Sequence, residues 1–419
     1  MTAERAGLMR ERAGPQRVTS VELFFDLVFV FAVTQLSHFL LTRPQAGAHA
    51  PARTAFLAAL LLTMVWLLWS YTTWVTNWLD PDRIAVRLLL LVLALVSLVF
   101  SAALPAAFGR SGLIVGLGYL VMQVGRSAFT VRVIGDPVLR RNFQRILAWC
   151  AASGSLALAG GLAHGGARVL LWVGAVAVDL IGGSVGFYTP WLGRSRTADW
   201  TIQGGHFAER CQGFILIAIG ESIVVIGAKL AARLDGPHSL AGAEIAAFLV
   251  AVVGSVAFWW VYFDRAAGDA AEVIAGSADP GRLGRSAYHL IHPIMVGGII
   301  VAAAADAATA DVTARHGAAG PAPGWAAWLI LAGPALFLGG HAAFKAVIWH
   351  LPSWPRLGAV VVLGLLGLIR LLAPQVAALA LAGCAAATVV AVAVADHVWR
   401  PPIQAEADGQ AGESQAGES

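Results

Sequence analysis

The sequence predicts an all-α polytopic membrane protein with about twelve transmembrane helices, arranged as two parallel six-helix repeats. Of its 419 residues, 58% are hydrophobic and only 12% are charged, and the mean hydropathy is +0.74. Soluble domains carry about 25% charged residues. Long apolar runs recur along the chain, and about 20 helical residues are enough to cross a hydrocarbon core of roughly 30 Å.

The apolar runs define the predicted spans, which follow one another with short connections. In chain order they cover residues 21–41, 55–78, 84–106, 112–134, 143–163, 168–189, 207–228, 243–263, 287–306, 325–348, 357–372 and 374–395. Only Ala373-Pro374 separates the last two, so a shared re-entrant hairpin is the alternative for that pair. The connection 264–286 is the longest and has room for a short surface helix, but its apolar face is too small to fold alone.

The polar ends of the chain lie outside these spans. Residues 1–20 are Arg-rich and lack the apolar region of a removable signal peptide, and residues 398–419 have the composition of a disordered tail. Loops on the N-terminal side carry about twice as many Arg and Lys as the opposite loops. Because cytoplasmic loops carry this excess, both termini are predicted to be cytoplasmic.

The charge and the cysteines exclude other classes. The formal charge of +4 follows from the loop asymmetry, and no basic stripe interleaved with aromatics suggests nucleic-acid binding. The three cysteines, Cys150, Cys211 and Cys384, each lie within an apolar span and are expected to be small buried residues. His289 and His292 are three residues apart, but no third ligand has matching spacing, so a polar helix end is favoured over a metal site.

Four pairs of segments suggest an internal duplication. Glu22 and its apolar run match Glu209 and its run, and WVTNWLD at 74–80 matches WVYFD at 260–264. RIAVRL at 83–88 matches RSAYHL at 285–290, and GRSAFTVRV at 125–133 matches GHAAFKAVI at 340–348. The predicted repeats are 21–190 and 207–397, joined by a cytoplasmic linker at 191–206. Six spans per repeat keep both copies in one orientation, an arrangement that some secondary transporters use.

Charged residues within the spans are the candidate functional residues, because an ionisable group at membrane depth is costly. Asp179 is predicted close to the middle of the sixth span and Glu221 just past the middle of the seventh. Arg126 and Arg210 are the candidate counter-charges. The alternative is that these charges only tie helices together.

Glu22 and Asp26 are four residues apart and therefore share one helical face. Two carboxylates at that spacing repel each other. They are compatible if an arginine from another span lies between them, or if one is protonated because burial disfavours the charged form. Arg126 and Arg210 lie at comparable depths, so either is a candidate partner.

The segments ELFFDLVFVFAVTQLSH at 22–38 and HFAERCQGFILIAIGESIVVIG at 206–227 resemble the two signature segments of the bacterial low temperature requirement protein A family. The resemblance implies a multi-span protein of the bacterial plasma (inner) membrane, named for a need during growth in the cold. The residues that match the family pattern are Glu22, Phe25, Asp26, His206, Glu209, Arg210, Gly220, Glu221 and Ser222.

Two classes of function follow. The first is secondary transport of an unidentified small solute or ion, with a pathway drawn from Asp179, Glu221, Asp26, Glu22, Glu209, Arg210, Arg126 and His206, and with protons exchanged at a carboxylate. The second is a non-transporting membrane protein that supports the envelope or growth at low temperature. The sequence contains no nucleophile-base set, zinc-protease motif or phosphate loop, so we predict no enzyme activity, cofactor or metal. The expected partners are the lipid bilayer and the solute.

Overall fold

A computed structural model describes residues 8–10, 18–42, 50–195, 204–235, 240–264, 270, 273 and 280–398. Within these residues, twelve helices are long and apolar enough to cross a bilayer. They are α1 (Ser20–Thr42), α2 (Ala50–Thr76), α3 (Ile84–Ala106), α4 (Gly112–Val133), α5 (Pro137–Leu162), α6 (Gly165–Ser184), α7 (Gly205–Leu234), α8 (Gly242–Phe263), α9 (Arg282–His316), α10 (Gly324–Trp349), α11 (Trp354–Leu372) and α12 (Ala378–Val398). The predicted all-α class and the number of spans are confirmed.

Several helices are longer than the apolar runs that predicted them. Helix α5 begins at Pro137, where the Asp136 side chain accepts a hydrogen bond from the Leu139 backbone N–H at 2.7 Å and caps the first turn. Helix α9 includes a π-helical segment, Arg285–Ile291, and continues to His316 before Gly317 ends it at φ 70°. Helical structure therefore extends about three turns past Asp306, the last residue of the predicted ninth span.

Two further boundaries decide questions that the sequence left open. Helices α11 and α12 are separate, with 19 and 21 residues, and each is long enough to cross a bilayer. Helix α6 ends at Ser184 rather than near 189, because Gly186 and Phe187 adopt positive φ angles of 65° and 50°. Asp179 therefore lies near the C-terminal end of α6, and the prediction that it lies close to the middle is wrong.

Small residues set how closely neighbouring helices approach. A Cβ on Gly116 of α4 would lie 2.4 Å from the Ala157 carbonyl oxygen of α5, and one on Gly298 of α9 would lie 2.5 Å from the Phe337 nitrogen of α10. Such contacts are possible only without a side chain, and close backbone packing is what holds helices together in lipid. Helices α2 and α9 are the most deeply buried of the twelve, and α11 is the least.

Six pairs of helices pack together in both halves of the chain. Among the described residues, the packing of α2 on α4 in the first half, and of α8 on α9 and α10 on α12 in the second, is not matched to a comparable extent in the other half. In the first half, α1 packs on α2 and α3, α3 on α4, α4 on α5, α5 on α6, and α2 on α6. In the second half, α7 packs on α8 and α9, α9 on α10, α10 on α11, α11 on α12, and α8 on α12. The halves meet where α1 and α2 contact α7 and α9. The duplication, with its repeats at 21–190 and 207–397, stays a prediction, and this pattern is what it requires.

The remaining predictions concern the cysteines and the polar segments. Cys150 and Cys211 are buried, but Cys384 is exposed on the outer face of α12, so its predicted burial is wrong. The N-terminal segment 1–20 is described only at 8–10 and 18–20, where Met9 forms a bridge with Leu79 in the α2–α3 connection. The tail after residue 398, linker residues 196–203 and most of the predicted surface helix at 264–286 lie outside the described residues.

Candidate functional site

Helices α1 and α7 are joined by a group of buried ionisable side chains that we name the α1–α7 ion cluster: Glu22, Asp26, His206 and Arg210. The Arg210 guanidinium donates from Nε to Asp26 Oδ2 at 3.1 Å and from Nη2 to Asp26 Oδ1, a two-point contact. Its Nη1 lies 3.5 Å from Glu22 Oε1. Arg210, and not Arg126, is thus the arginine that lies between the two carboxylates.

Every carboxylate oxygen of this cluster has a partner. Glu22 Oε2 accepts from Arg10 Nη2 at 2.6 Å and from the Thr19 backbone N–H at 2.9 Å. Glu22 Oε1 lies 3.0 Å from His206 Nε2. These pairs fix the start of α1 against the start of α7, and the four cluster side chains are almost fully buried.

Helix α2 completes the cluster. Trp69 Nε1 donates to Asp26 Oδ1 at 2.6 Å, and Thr76 Oγ1 accepts from Arg210 Nη1 at 3.0 Å. Asn77 Nδ2 lies 3.4 Å from His206 Nδ1. Charges that are buried, paired and hydrogen-bonded on all sides stabilise one arrangement of helices. This geometry is that of a structural tie between α1, α2 and α7.

Asp179 belongs to a second polar group, formed by α2, α4, α5 and α6. Its Oδ2 accepts hydrogen bonds from the Tyr119 hydroxyl at 2.5 Å and from Gln123 Nε2 at 2.7 Å. Its Oδ1 is buried and accepts no hydrogen bond of ordinary geometry from the described residues. The Ser153 hydroxyl is a further neighbour of the carboxyl group. One oxygen of the carboxylate therefore accepts two hydrogen bonds, and the other accepts none of ordinary geometry.

Arg126 lies next to Asp179 without forming an ion pair with it. Tyr119, Gln123 and Arg126 lie on one face of α4, and Gln123 bridges the two charges, because its Oε1 accepts from Arg126 Nη2 while its amide donates to Asp179. Arg126 Nη1 donates to Thr72 Oγ1 of α2 at 3.3 Å. Arg126 Nε is buried without a hydrogen-bond partner among the described residues.

A cavity of about 120 Å³ adjoins this group, and we name it the α6 cavity. Its walls come from α2, α4, α5, the end of α6, the α6–α7 connection and the first turns of α9. The charged side chains that line it are Arg126, Asp179 and Arg285. Ser184 and Leu290 at its edge are exposed, so the cavity lies close to one face of the bundle. It has room for several water molecules or one small solute.

Several buried polar atoms without a hydrogen-bond partner among the described residues belong to side chains that line the α6 cavity. Besides Arg126 Nε and Asp179 Oδ1, the buried atoms without a hydrogen-bond partner in the described part of the chain include Arg285 Nε and His289 Nδ1. Buried polar groups are nearly always paired, so each such atom calls for an explanation. A polar solute or water in the adjoining cavity supplies one, because it would give these atoms their missing partners.

The other predicted residues are not brought to either group. Glu221 is buried on α7, and Thr34 of α1 is a neighbour of its side chain. The hydroxyl oxygen of its neighbour Ser222 lies 3.2 Å from the hydroxyl oxygen of Ser255 on α8. Glu209 is exposed on the outer side of α7. Of the predicted pathway residues, the structure thus joins Glu22, Asp26, His206 and Arg210, joins Asp179 with Arg126, and leaves Glu221 and Glu209 separate.

Sequence reasoning missed several residues of the α6 cavity. Arg285 was counted only among the loop charges, and His289 was interpreted, together with His292, as a polar helix end in preference to a metal ligand. Tyr71, whose ring centroid lies 5.2 Å from Arg126 Cζ, carried no signal in the sequence. Asp306 was also missed; it lies inside α9 and borders two smaller cavities of about 40 and 30 Å³. Arg285 and Asp306 are recognised as residues within α9 only once the full length of that helix, Arg282–His316, is known.

Metal coordination is not suggested by these residues. Across the described ranges, no group of three or more His, Cys, Asp or Glu side chains converges in a way that could hold a metal ion. His292 instead lies 2.9 Å, Nε2 to hydroxyl oxygen, from Tyr262, and the His289 carbonyl accepts a hydrogen bond from Trp66 Nε1 at 2.8 Å. His292 therefore serves helix packing around α9 through its ring, whereas His289 does so through its backbone carbonyl.

Twelve apolar helices with ionisable groups enclosed between them define a multi-pass, α-helical integral membrane protein. A profile of the family described as bacterial low temperature requirement A protein (LtrA) matches residues 17–395. The chain belongs to this family, and the resemblance of its two signature segments is confirmed.

One relative carries the similarity over much of its own length. The chain is 35% identical over 298 residues to a protein of Rhizobium meliloti (strain 1021) described as uncharacterized protein RA0937, and the match covers 71% of this chain and 70% of that protein. No solved structure matches the chain. The chemistry of the site must therefore be argued from its own residues.

Proposed function

We propose that the protein is a secondary transporter that binds one small polar solute in the α6 cavity and carries it across the bacterial inner membrane. Asp179 is the group that exchanges a proton, and Arg126 is the fixed counter-charge. The transport step requires no covalent chemistry and no cofactor. Both termini are cytoplasmic in this proposal, which places the α6 cavity on the cytoplasmic side.

The observation that carries the proposal is the set of unsatisfied buried polar atoms on the walls of the cavity. Intramembrane ionisable groups that face a cavity mark substrate or ion pathways. A purely structural group would have its hydrogen bonds closed within the protein, as the α1–α7 ion cluster does. The α6 cavity instead leaves donors and an acceptor open beside a space of solute size.

The pairing of helices in the two halves supports the same conclusion. A duplicated bundle with parallel repeats can move one half against the other, which changes access to a site between the halves. Arg285 comes from α9 of the second half, while Arg126 and Asp179 come from the first half. A relative movement of the halves would therefore open or close the cavity.

The test is flux into proteoliposomes that contain the purified protein. We expect solute-dependent proton flux under an imposed pH gradient, and its loss in Asp179→Asn. Asp235→Asn is the matched control, because Asp235 is exposed just after the end of α7. No flux under pH, Na⁺ or K⁺ gradients with a panel of small solutes would reject the proposal. It would favour the alternative, a non-transporting protein that supports the envelope in the cold.

A further inference from the structure

We propose that the α6 cavity binds a small anion together with a proton, so that the anion and the proton on Asp179 move as one unit. This inference rests on the proposed function, because it names the solute class of the same cavity. Anion binding can be tested separately from transport, because it is measured on the purified protein without flux.

The charges on the cavity walls favour an anion. Two guanidinium groups, Arg126 and Arg285, face one carboxylate, Asp179. The open donors are Arg126 Nε and Arg285 Nε, and His289 offers Nδ1. Guanidinium N–H groups form their strongest hydrogen bonds with anionic oxygens.

While the Asp179 carboxylate is ionised, its negative charge repels an anion in the cavity. Binding of the anion is therefore linked to binding of a proton at Asp179. The Asp179 carboxylate compensates Arg126 through the Gln123 bridge. If Asp179 takes up a proton, neither guanidinium has a carboxylate within ion-pair distance among the described residues, so an anion would take over the compensation. By reciprocity, anion binding must favour protonation of Asp179 to the same extent.

The geometry of the carboxyl group indicates where the proton binds. Oδ2 already accepts from Tyr119 and Gln123, whereas Oδ1 accepts no ordinary hydrogen bond from the described residues. A proton on Oδ1 therefore leaves both existing hydrogen bonds in place. Protonation needs no rearrangement of α4, so it can follow anion occupancy directly.

The titratable and charged groups around Asp179 come from four other helices. They are Tyr71 on α2, Tyr119 and Arg126 on α4, Cys150 on α5, and Arg285 and His289 on α9. Among these, the two arginines are charged throughout the neutral range, and Tyr and Cys are normally protonated there. Only Asp179 and His289 remain as acceptors of the coupled proton.

The experiment measures binding of nitrate, acetate and phosphate to the purified protein by calorimetry in two buffers of different ionisation enthalpy. We expect one of these anions to bind with uptake of a proton. Its affinity should rise by up to about tenfold for each unit of pH decrease, which is the limit for one coupled proton. Asp179→Asn should bind the anion without proton uptake, while His289→Gln should keep the pH dependence.

Arg126→Gln should reduce anion affinity at least tenfold, and Arg110→Gln, an exposed arginine on the α3–α4 connection, is its matched control. Circular dichroism and gel filtration confirm that each variant is folded. Failure of all three anions to bind wild-type protein overturns the inference, as does a pH dependence that is unchanged in Asp179→Asn.

The two proposals fail in different ways. Anion binding with proton uptake but no flux would keep the anion site and reject transport. Flux of a cation or neutral solute without anion binding would keep transport and reject the anion. A lipid phosphate group has the same chemistry as a free anion, so binding is repeated in nanodiscs with and without phosphatidylglycerol. Competition by this lipid assigns the site to a headgroup and rejects a free anion as cargo.

Discussion

The α1–α7 ion cluster and the α6 cavity each place carboxylate and guanidinium groups inside a helical membrane protein, yet their hydrogen bonding differs. In the cluster, both oxygens of Glu22 and Asp26 are paired, and Arg210 contacts both carboxylates. At the cavity, Asp179 and Arg126 are separated by Gln123, and each keeps a buried polar atom open among the described residues. Burial of charge alone therefore does not distinguish a structural site from a functional one.

The two regions differ in which groups act as hydrogen-bond partners of their buried charges. Residues of four protein segments complete the cluster, so a solute would have nothing to add. The cavity needs a further partner, and it has the space to accept one. Four of the nine residues that match the family pattern, Glu22, Asp26, His206 and Arg210, form the cluster itself. The residues suited to bind a solute lie elsewhere, on α4, α6 and α9.

The largest effect is expected at the cluster. Arg210→Gln would leave Glu22 and Asp26 buried four residues apart without the charge between them. Removal of one partner of a buried ion pair costs about 3–5 kcal/mol. We therefore expect little folded protein and a strongly reduced Tm, measured by thermal unfolding in detergent. The double variant Asp26→Asn with Arg210→Gln should regain much of this loss, because Trp69 can still donate to the amide oxygen that replaces a carboxylate oxygen.

A loss as large in the double variant as in Arg210→Gln would contradict this account. It would mean that Arg210 acts through contacts other than Asp26, such as its position 5.7 Å from the Trp69 ring or its hydrogen bond to Thr76. The α1–α7 ion cluster and the α6 cavity would then differ in side-chain packing rather than in how their charges are paired.

The second prediction concerns Arg126, which is buried as completely as Arg210. It has no carboxylate within ion-pair distance among the described residues, so its desolvation is not offset by a direct pair. Arg126→Met should therefore destabilise the protein less than Arg210→Gln, by about 1–3 kcal/mol, because it leaves the acceptors Gln123 Oε1 and Thr72 Oγ1 without their donor. The same variant should abolish anion binding. A loss of stability like that of Arg210→Gln would place Arg126 among the structural residues.

Much of the fold could be predicted, because the bilayer constrains it strongly. Apolar runs located all twelve helices, and the four-residue spacing of Glu22 and Asp26 called for an arginine, which the structure supplies at Arg210. Helix ends were less predictable. The hydropathy pattern predicted that the ninth span ends at Asp306, although the helix continues to His316. It also extended the sixth span past the turn at Gly186 and displaced Asp179 toward the middle.

The α6 cavity could not be predicted because no single segment contains it. Arg285 and His289 join Arg126 and Asp179 only through the packing of the second half on the first. Whether a buried polar atom is satisfied depends on contacts between helices far apart in sequence. A charge at membrane depth thus identifies candidates, and only the three-dimensional arrangement separates Arg126 from Arg210.

The smallest effect is expected at Glu209, which matches Glu22 in the predicted repeat and belongs to the family pattern. Glu22 is enclosed by Arg10, Thr19 and His206, whereas Glu209 is exposed on α7. Glu209→Gln should change the free energy of unfolding by about 0.5 kcal/mol or less and leave proton flux unchanged. Thermal unfolding and the proteoliposome assay check both. A stable Glu209→Gln protein without flux would move the proton pathway to α7, and the contrast between cluster and cavity would no longer separate structure from function.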